Sequence, residues 1–501
     1  MKLKALDRNT IILALLGICL FVYTCLRAAK LSMTHDESST FINSIDINLW
    51  ACFFSSECWG TANIHWLNSF LMQISVGLFG TDEFFIRLPN LLAHLLYLTY
   101  SILLLRAFSG RIWLMLGGFM ILNANPYLLE FFALARGYGM GCGFVMMSVY
   151  HLFVYLDRKK GRQLALSFIG SILAVLSNFT FLNFFAVHLA FLGGLSVLAL
   201  LKWDEKIPLL EENSLGPKPW LPLALGAASS VFLLIILYYP IKFLRRLGEF
   251  QYGIDSLWVS YRGLVEDSNM GQKLLGPKSI EILMWFFGLL FLASMLYGLS
   301  RILKKGFGPT RIFYFATCSL AFLFMLALLT QYWLFDTKYL VHRTALIIIP
   351  IAAFPVYMFL EEVIKSRVSI ALAISLLLAG YSVYHFSQVA NLGGTREWYY
   401  DAETKHMIDL MMEKEEPGKK IKLGVYWIYH PTSAFYKQVR ELDFIETIPY
   451  EKQLRTDSLY DYYFVEPGQG EQINPAYELE QKVGWVGALY KRKLVNFLSP
   501  D

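Results

Sequence analysis

The sequence predicts an all-α polytopic membrane protein of about 11 transmembrane helices, with amphipathic surface helices and a small C-terminal α/β extracytoplasmic domain. Of the 501 residues, 56% are hydrophobic and only 17% are charged, whereas soluble chains have about a quarter of their residues charged. The mean hydropathy is +0.46, and the charges cluster between long apolar runs. The net charge of +5 is ordinary and no long basic block occurs, so the sequence excludes nucleic acid as a partner.

Long apolar runs indicate the membrane-spanning helices. Eleven of them are long enough to cross a hydrocarbon core as helices, and they lie at 10–29, 86–105, 112–132, 138–156, 164–181, 182–201, 220–240, 281–300, 312–334, 344–360 and 368–388. Arg87, at the start of the second run, can extend its long side chain to the membrane interface. The sequence therefore predicts an odd number of spans, with the two termini on opposite sides.

Basic residues set the orientation, because cytoplasmic loops are enriched in Lys and Arg. Alternate loops are basic, and we assign them to the cytoplasm: Lys2, Lys4, Arg8, Arg106, Arg111, Arg158, Lys159, Lys160, Arg162, Lys202, Lys206, Arg301, Lys304, Lys305, Arg311, Lys365 and Arg367. The loop 30–85, the segment 241–280, the loop 335–343 and the C-terminal tail then lie outside. We expect a multi-pass protein of the plasma (inner) membrane with a cytoplasmic N-terminus and a periplasmic or extracellular C-terminal domain.

The composition changes near residue 391, where charged residues become more frequent. Short β-rich runs at Lys420–Tyr429 and Asp461–Glu466 flank a helical pattern around 432–442. We therefore divide the chain into a transmembrane module, 1–390, and an extracytoplasmic α/β domain, 391–501, which is long enough for its own core.

Two cysteines differ from the rest in their location. Cys19, Cys25, Cys142 and Cys318 lie in spans and are expected to pack as small apolar side chains. Cys52 and Cys58 lie in the outside loop, six residues apart. They fit a disulfide in an oxidising compartment or, together with His65, part of a zinc site.

The outside loop 30–85 contains the most informative polar residues. Asp36 and Glu37 stand in Met33–Ser38, where the first span emerges, and can be read as solvated loop charges or as functional acids. His65 then precedes an amphipathic stretch that ends at Phe79. Glu83–Pro89 leads into the next span. The sequence therefore places an ordered set of polar residues on the outer face.

This ordered set resembles the GT-C glycosyltransferases of the protein mannosyltransferase and aminoarabinose transferase type, which are similar to glycosyltransferase family 39 and depend on polyprenyl-phosphate sugars. The resemblance covers roughly the first 160 residues well and rests on Asp36-Glu37, His65, Glu83–Pro89 and the joint Ala135-Arg136-Gly137-Tyr138, followed by the late segment Lys338–Pro350. Trp66 and Leu67 follow His65 where the family often has prolines. The resemblance implies an integral-membrane enzyme that uses a polyprenyl monophosphate donor.

The chemistry of such a transfer calls for one base and several cations. An acceptor hydroxyl must lose its proton as it attacks the anomeric carbon, and one carboxylate suffices for an inverting displacement. We assign this general base to Asp36, as the resemblance also does, while Glu37 orients it, binds the acceptor or helps to hold a divalent ion with Asp36 and His65. Metal-free catalysis remains open.

Cations on the outer face are candidates for the departing phosphate. Arg136 suits phosphate because a guanidinium can bind two oxygens at once, although it can also act as an interfacial anchor. Lys338 and Arg343 resemble the family's late basic segment, which implies phosphate contact. The candidate substrate-binding residues are His65, Tyr138, Trp258, Tyr261 and Arg262. Trp258 and Tyr261, which lie in the segment 241–280, can stack on sugar or lie in the interfacial belt.

The leading hypothesis is thus an inverting glycosyltransferase that moves a sugar from a polyprenyl monophosphate to a lipid, glycan or protein acceptor outside the cytoplasm. The alternative is a polytopic transporter or flippase of lipid-linked saccharides. Transporters bury ionisable residues near the bilayer midplane, whereas here the acids and most bases collect at one face, which favours the enzyme. The sequence names neither the sugar nor the acceptor.

Overall fold

The computed structural model describes residues 7–55, 63–202, 215, 217–271, 276–302, 311–363, 365, 367–446, 448–454, 457, 459–473 and 476–493. Its helices are α1 (Arg8–Lys30), α2 (His35–Ser44), α3 (Trp66–Phe79), α4 (Glu83–Phe108), α5 (Ile112–Asn123), α6 (Pro126–Glu130), α7 (Gly137–Arg158), α8 (Gly161–Ser177), α9 (Leu182–Leu200), α10 (Leu221–Arg246), α11 (Leu257–Ser268), α12 (Ser279–Ile302), α13 (Arg311–Phe335), α14 (Ile348–Val363), α15 (Val368–Val389), α16 (Thr404–Met412), α17 (His430–Val439) and α18 (Gly470–Ile473). Its strands are β1 (Leu423–Val425), β2 (Tyr462–Val465), β3 (Tyr477–Val483) and β4 (Gly487–Arg492).

The long apolar helices confirm the predicted fold class and make the chain a multi-pass membrane protein. Within the described residues, 9 helices are long and apolar enough to cross a membrane: α1, α4, α7, α9, α10, α12, α13, α14 and α15. The other two predicted runs, 112–132 and 164–181, correspond to the shorter apolar helices α5 and α8.

The run 112–132 is interrupted because Pro126 has no N–H and restricts the residue before it. Helix α5 therefore ends at Asn123, and α6 begins at Pro126. The side chain of Asn125 caps α6 by accepting the Leu128 N–H at 3.1 Å. Hydropathy alone does not reveal this break, since both sides of it are apolar.

The chain forms two compact units. The first contains Met1–Cys25, Asn48–Leu71 and Arg87–Ala390, and we call it the membrane unit. The second contains Leu26–Ile47, Met72–Ile86 and Asn391–Asp501, and we call it the tail unit. Two segments of the loop 30–85 thus share a unit with the C-terminal tail.

The tail unit contains a four-stranded sheet in the order β1-β2-β4-β3. Strands β1 and β2 are parallel, and both β2–β4 and β3–β4 are antiparallel. Tyr463, Phe464 and Leu489 are fully buried and contribute to its core. This sheet, with α16 and α17, confirms the predicted α/β structure of the C-terminal tail.

Helices α7 and α8 pack closely against each other in the membrane unit. The Ser148 hydroxyl donates to the Ser167 carbonyl at 2.7 Å, and the Ser167 hydroxyl donates back to the Ser148 carbonyl at 2.8 Å. A Cβ at Gly137, the first residue of α7, would lie 1.8 Å from the carbonyl oxygen of Ser177, at the end of α8. Only glycine fits there, so the start of α7 is held against the end of α8.

Candidate active site

The acidic motif of the sequence forms the start of α2. Glu37 Oε2 accepts the Thr34 N–H and the Thr34 hydroxyl, both at 3.1 Å, and Thr34 Oγ1 accepts the Glu37 N–H at 3.4 Å. This reciprocal pair is a capping box. Glu37 has no exposed surface, whereas Asp36 keeps 7%. Glu37 therefore fixes the helix start that presents Asp36.

Asp401 lies at the same helix start, and sequence reasoning missed it. Its Oδ2 accepts the His35 N–H at 2.6 Å, and its Oδ1 accepts the Thr404 hydroxyl at 3.3 Å. Burial raises the pKa of Asp401 well above its usual value, although hydrogen bonds from Thr432, His35 and Thr404 oppose the shift. The negative charge of Asp36 raises it further. Asp401 thus favours its neutral form beside Asp36.

Glu83 is a further buried acid of the tail unit. Its Oε1 accepts the Tyr436 hydroxyl at 3.0 Å and lies 2.7 Å from Lys405 Nζ. The Tyr436 oxygen in turn accepts the Met33 N–H at 2.9 Å. This network connects the segment before α2, the start of α4 and the tail.

His65 lies in the membrane unit and is 4% exposed. Its Nδ1 accepts the Gly137 N–H at 2.7 Å, and its Nε2 lies 3.0 Å from Asn178 Nδ2. Burial and the positive charges of Arg136 and Arg343 lower the pKa of His65 well below its usual value. His65 is therefore neutral and positions the start of α7.

Arg136 is fully buried directly before α7. Its Nη1 donates to the Asn63 carbonyl at 3.2 Å, and its Nη2 donates to Asn63 Oδ1 at 3.1 Å. Its guanidinium carbon lies 6.0 Å from the centre of the Tyr138 ring. Hydrogen bonds from the buried, positively charged Arg136 thus hold the segment before α3 in place.

Arg343 extends this positive region. Its Nε donates to the Tyr138 hydroxyl at 3.3 Å, and its guanidinium carbon lies 5.1 Å from the centre of the Tyr252 ring. The Tyr138 ring also packs edge-on against His65 at 4.9 Å between centroids. We call His65, Arg136, Tyr138 and Arg343 the cationic cluster, and the structure brings these four predicted residues together.

The other predicted residues of the outer face have different surroundings. Lys338 pairs with Asp255, which raises the pKa of Lys338. Arg262 forms an ion pair of 2.8 Å with Glu266 and lies 3.9 Å from Glu281. Both cations are therefore neutralised by carboxylates of nearby segments.

Trp258 and Tyr261 line a mostly apolar cavity of about 620 Å³ in the membrane unit. The Tyr261 hydroxyl donates to the Met284 carbonyl at 2.6 Å, and the Trp258 ring lies 6.0 Å from the Tyr261 ring. Side chains of α5, of the start of α6 and of α12 to α15 complete the wall. A cavity of this composition suits a hydrocarbon chain better than a sugar.

The structure bears on two predictions, the metal site and the role of Cys52 and Cys58. Among the residues that the structure describes, no group of three or more His, Cys, Asp or Glu side chains could hold a metal ion. Cys52 is disulfide-bonded, so it is not a zinc ligand, while Cys58 lies outside the described residues.

Comparisons with known proteins identify the fold. No protein-family model matches the sequence, and no curated protein matches it. The structure is similar to ArnT from Cupriavidus metallidurans in the apo state, with 12% identity, a TM-score of 0.52 and coverage of 96% of this chain and 97% of that chain. The same ArnT bound to undecaprenyl phosphate gives 12% identity, a TM-score of 0.50 and coverage of 98% and 99%.

A third similar structure is the archaeal oligosaccharyltransferase AglB from Archaeoglobus fulgidus in complex with an inhibitory peptide and a dolichol-phosphate, with 13% identity, a TM-score of 0.43 and coverage of 91% of this chain and 70% of that chain. The likeness to ArnT extends over nearly the whole of both chains. The protein therefore has the GT-C fold, as the sequence predicts.

The capping role of Glu37 predicts that its glutamine and alanine variants differ. Glu37→Gln keeps an acceptor oxygen and still forms a capping box, so the thermal midpoint should stay near wild type. Glu37→Ala keeps the Thr34 cap but removes the oxygen that accepts the Thr34 N–H, at a cost of about 1 kcal/mol, and should lower the thermal midpoint. The exposed Glu413→Ala is the control. If Glu37→Gln is as impaired as Glu37→Ala, the carboxylate charge itself is required.

The raised pKa of Asp401 predicts a stability that falls as pH rises. Below the usual value of 3.8 the carboxyl is neutral in both states. Above it the unfolded chain ionises first, so stability declines until the pH passes the folded-state pKa. Asp401→Asn should remove this decline in thermal midpoints measured between pH 4.5 and 8, whereas the exposed Asp409→Asn should keep it. Parallel slopes for wild type and Asp401→Asn would contradict the assignment.

Proposed function

We propose that this protein is an integral-membrane inverting glycosyltransferase, which moves one sugar from a polyprenyl monophosphate donor to an extracytoplasmic lipid, glycan or protein acceptor. The observation that carries the proposal is the cationic cluster, which lies in a chain with the fold of an ArnT that binds undecaprenyl phosphate. A phosphate leaving group requires positive charge more than it requires a proton donor.

Asp36 serves as the general base in this proposal. A carboxylate can accept the proton of the acceptor hydroxyl while the new glycosidic bond forms to the anomeric carbon. The bond to the phosphate oxygen breaks at the same centre, and the polyprenyl phosphate leaves. Asp401 supports the role, because burial raises its pKa and so favours its neutral form beside Asp36.

Arg343 is the proposed direct contact for the donor phosphate. It is only partly buried, and Tyr138 and Tyr252 fix its plane. Arg136 adds positive charge from its buried position and holds Asn63 in place. Lys338 leaves its ion pair with Asp255 to contact the phosphate. Arg262 contacts the acceptor at the exposed surface. Trp258 and Tyr261 border the cavity that receives the prenyl chain.

The orientation follows from the basic loops. The N-terminus is cytoplasmic, and the C-terminal domain lies in the periplasm or outside the cell, in line with the distribution of Lys and Arg. An acceptor then approaches from the outside, while the lipid donor arrives from within the plasma membrane.

A panel of radiolabelled polyprenyl-phosphate sugars tests the proposal. Purified wild-type protein, supplied with membranes as acceptor, should transfer one of these sugars, and Asp36→Asn should reduce transfer by about 10²- to 10⁴-fold because it removes the base and keeps the shape. Asp46→Asn, an exposed aspartate of the same loop, is the matched control and should transfer normally.

Retention of more than about a tenth of wild-type activity in Asp36→Asn would overturn its role as the base. A wild-type protein that turns over no donor, but moves lipid-linked sugar across a vesicle membrane, would instead identify a transporter.

A further inference from the structure

A histidine and a buried aspartate form a pair next to the cationic cluster. His342 Nδ1 lies 2.8 Å from Asp267 Oδ2, and the side chains are 48% and 3% exposed, respectively. A buried carboxylate at one ring nitrogen fixes the orientation of an imidazole and stabilises its protonated form. His342 lies in the late segment Lys338–Pro350, whereas Asp267 has no local signal in the sequence.

The backbone holds His342 in an uncommon conformation. Its φ is +50°, in the left-handed region that residues other than glycine rarely adopt. Two hydrogen bonds secure the turn, because Thr344 Oγ1 accepts the Val341 N–H at 2.9 Å and its hydroxyl donates to the Val341 carbonyl at 2.7 Å. Such conformations persist where the surroundings enforce them and are concentrated at functional sites.

Three helices pack against the segment that carries the imidazole. The 3-10 helix that begins at His342 contacts α7, α11 and α14. Asp267 is the facing carboxylate on α11, Tyr138 is the ionisable side chain at the start of α7, and Arg343 is the adjacent cation. The first two turns of α14, 348–354, contain no ionisable residue. Elsewhere on α11, Arg262 and Glu266 pair with each other.

We propose that His342, held by Asp267, is a further ligand of the donor phosphate and binds it as an imidazolium. The inference rests on the proposed function, because it assigns a charge-dependent contact to the same phosphate site. Its consequence is that the donor binds more weakly once His342 loses its proton. Asp267 is a positioning residue, since it acts on the phosphate only through the imidazole.

The test is a binding measurement on the purified full-length protein with the methyl phosphodiester of a C15 prenol. A phosphodiester keeps one negative charge between pH 5.5 and 8.5, so any pH dependence belongs to the protein. Wild-type affinity should fall about tenfold across this range, as expected when one charge-assisted hydrogen bond is lost.

His342→Asn removes the charge and accepts the left-handed conformation well. It should bind at every pH as weakly as the wild type does at pH 8.5. Asp267→Asn should shift the transition to lower pH, because the imidazolium loses its carboxylate. The control is His406→Gln in the tail unit, where an exposed histidine likewise lies beside a carboxylate, 3.6 Å from Glu403, and it should match the wild type.

Wild-type affinity that does not change with pH, or the same pH dependence in His342→Asn, would overturn the inference. In either case binding of the probe and transfer of a sugar by the wild type would leave the proposed function standing. A wild-type protein that binds no probe at any pH and transfers no sugar would overturn the proposed function itself.

Discussion

Buried ionisable groups impose the main constraint on this structure, because each one needs partners before apolar side chains can enclose it. In the tail unit, Glu83 forms an ion pair with Lys405 and accepts a hydrogen bond from Tyr436. In the membrane unit, Arg136 donates a hydrogen bond to Asn63, and Asp267 pairs with His342. These contacts determine where the loops attach within each unit.

The fold class could be predicted from the sequence because a hydrocarbon core selects long uncharged helices. The hairpin of β3 and β4 was missed for a physical reason. Strand β3 is buried only at Tyr477 and Val483, and the residues between them are exposed. The polar run Glu480–Lys482 interrupts the apolar alternation that predicts a strand. The interruption at Pro126 was visible in the sequence but was outweighed by the surrounding hydropathy.

The candidate site was only partly predictable. Asp36 and Glu37 stand out because acids are rare beside apolar runs, and the Thr34-x-x-Glu37 spacing already contained the signal for a capping box. Asp401 could not be found in this way, since it is 366 residues from its partner His35 and ordinary in its local context. Asp267 could not be found either, because it is 75 residues from its partner His342. Such pairings come from the fold and leave no local pattern.

Glycine at position 137 shows how packing and electrostatics combine. The close approach to Ser177 permits no side chain, and the resulting geometry directs the Gly137 N–H at His65 Nδ1. His65 remains neutral because burial and two arginine charges oppose its protonation. The cationic cluster therefore carries its positive charge on guanidinium groups, which match phosphate oxygens in geometry.

The central claim is that this cluster binds the phosphate of a polyprenyl lipid, and an electron cryomicroscopy structure with a polyprenyl phosphate tests it most directly. We expect phosphate density within hydrogen-bond distance of Arg343, close to Arg136 and Tyr138, with the prenyl chain in the cavity lined by Trp258 and Tyr261. Phosphate bound elsewhere in the membrane unit, with the cationic cluster unchanged and unoccupied, would contradict the account.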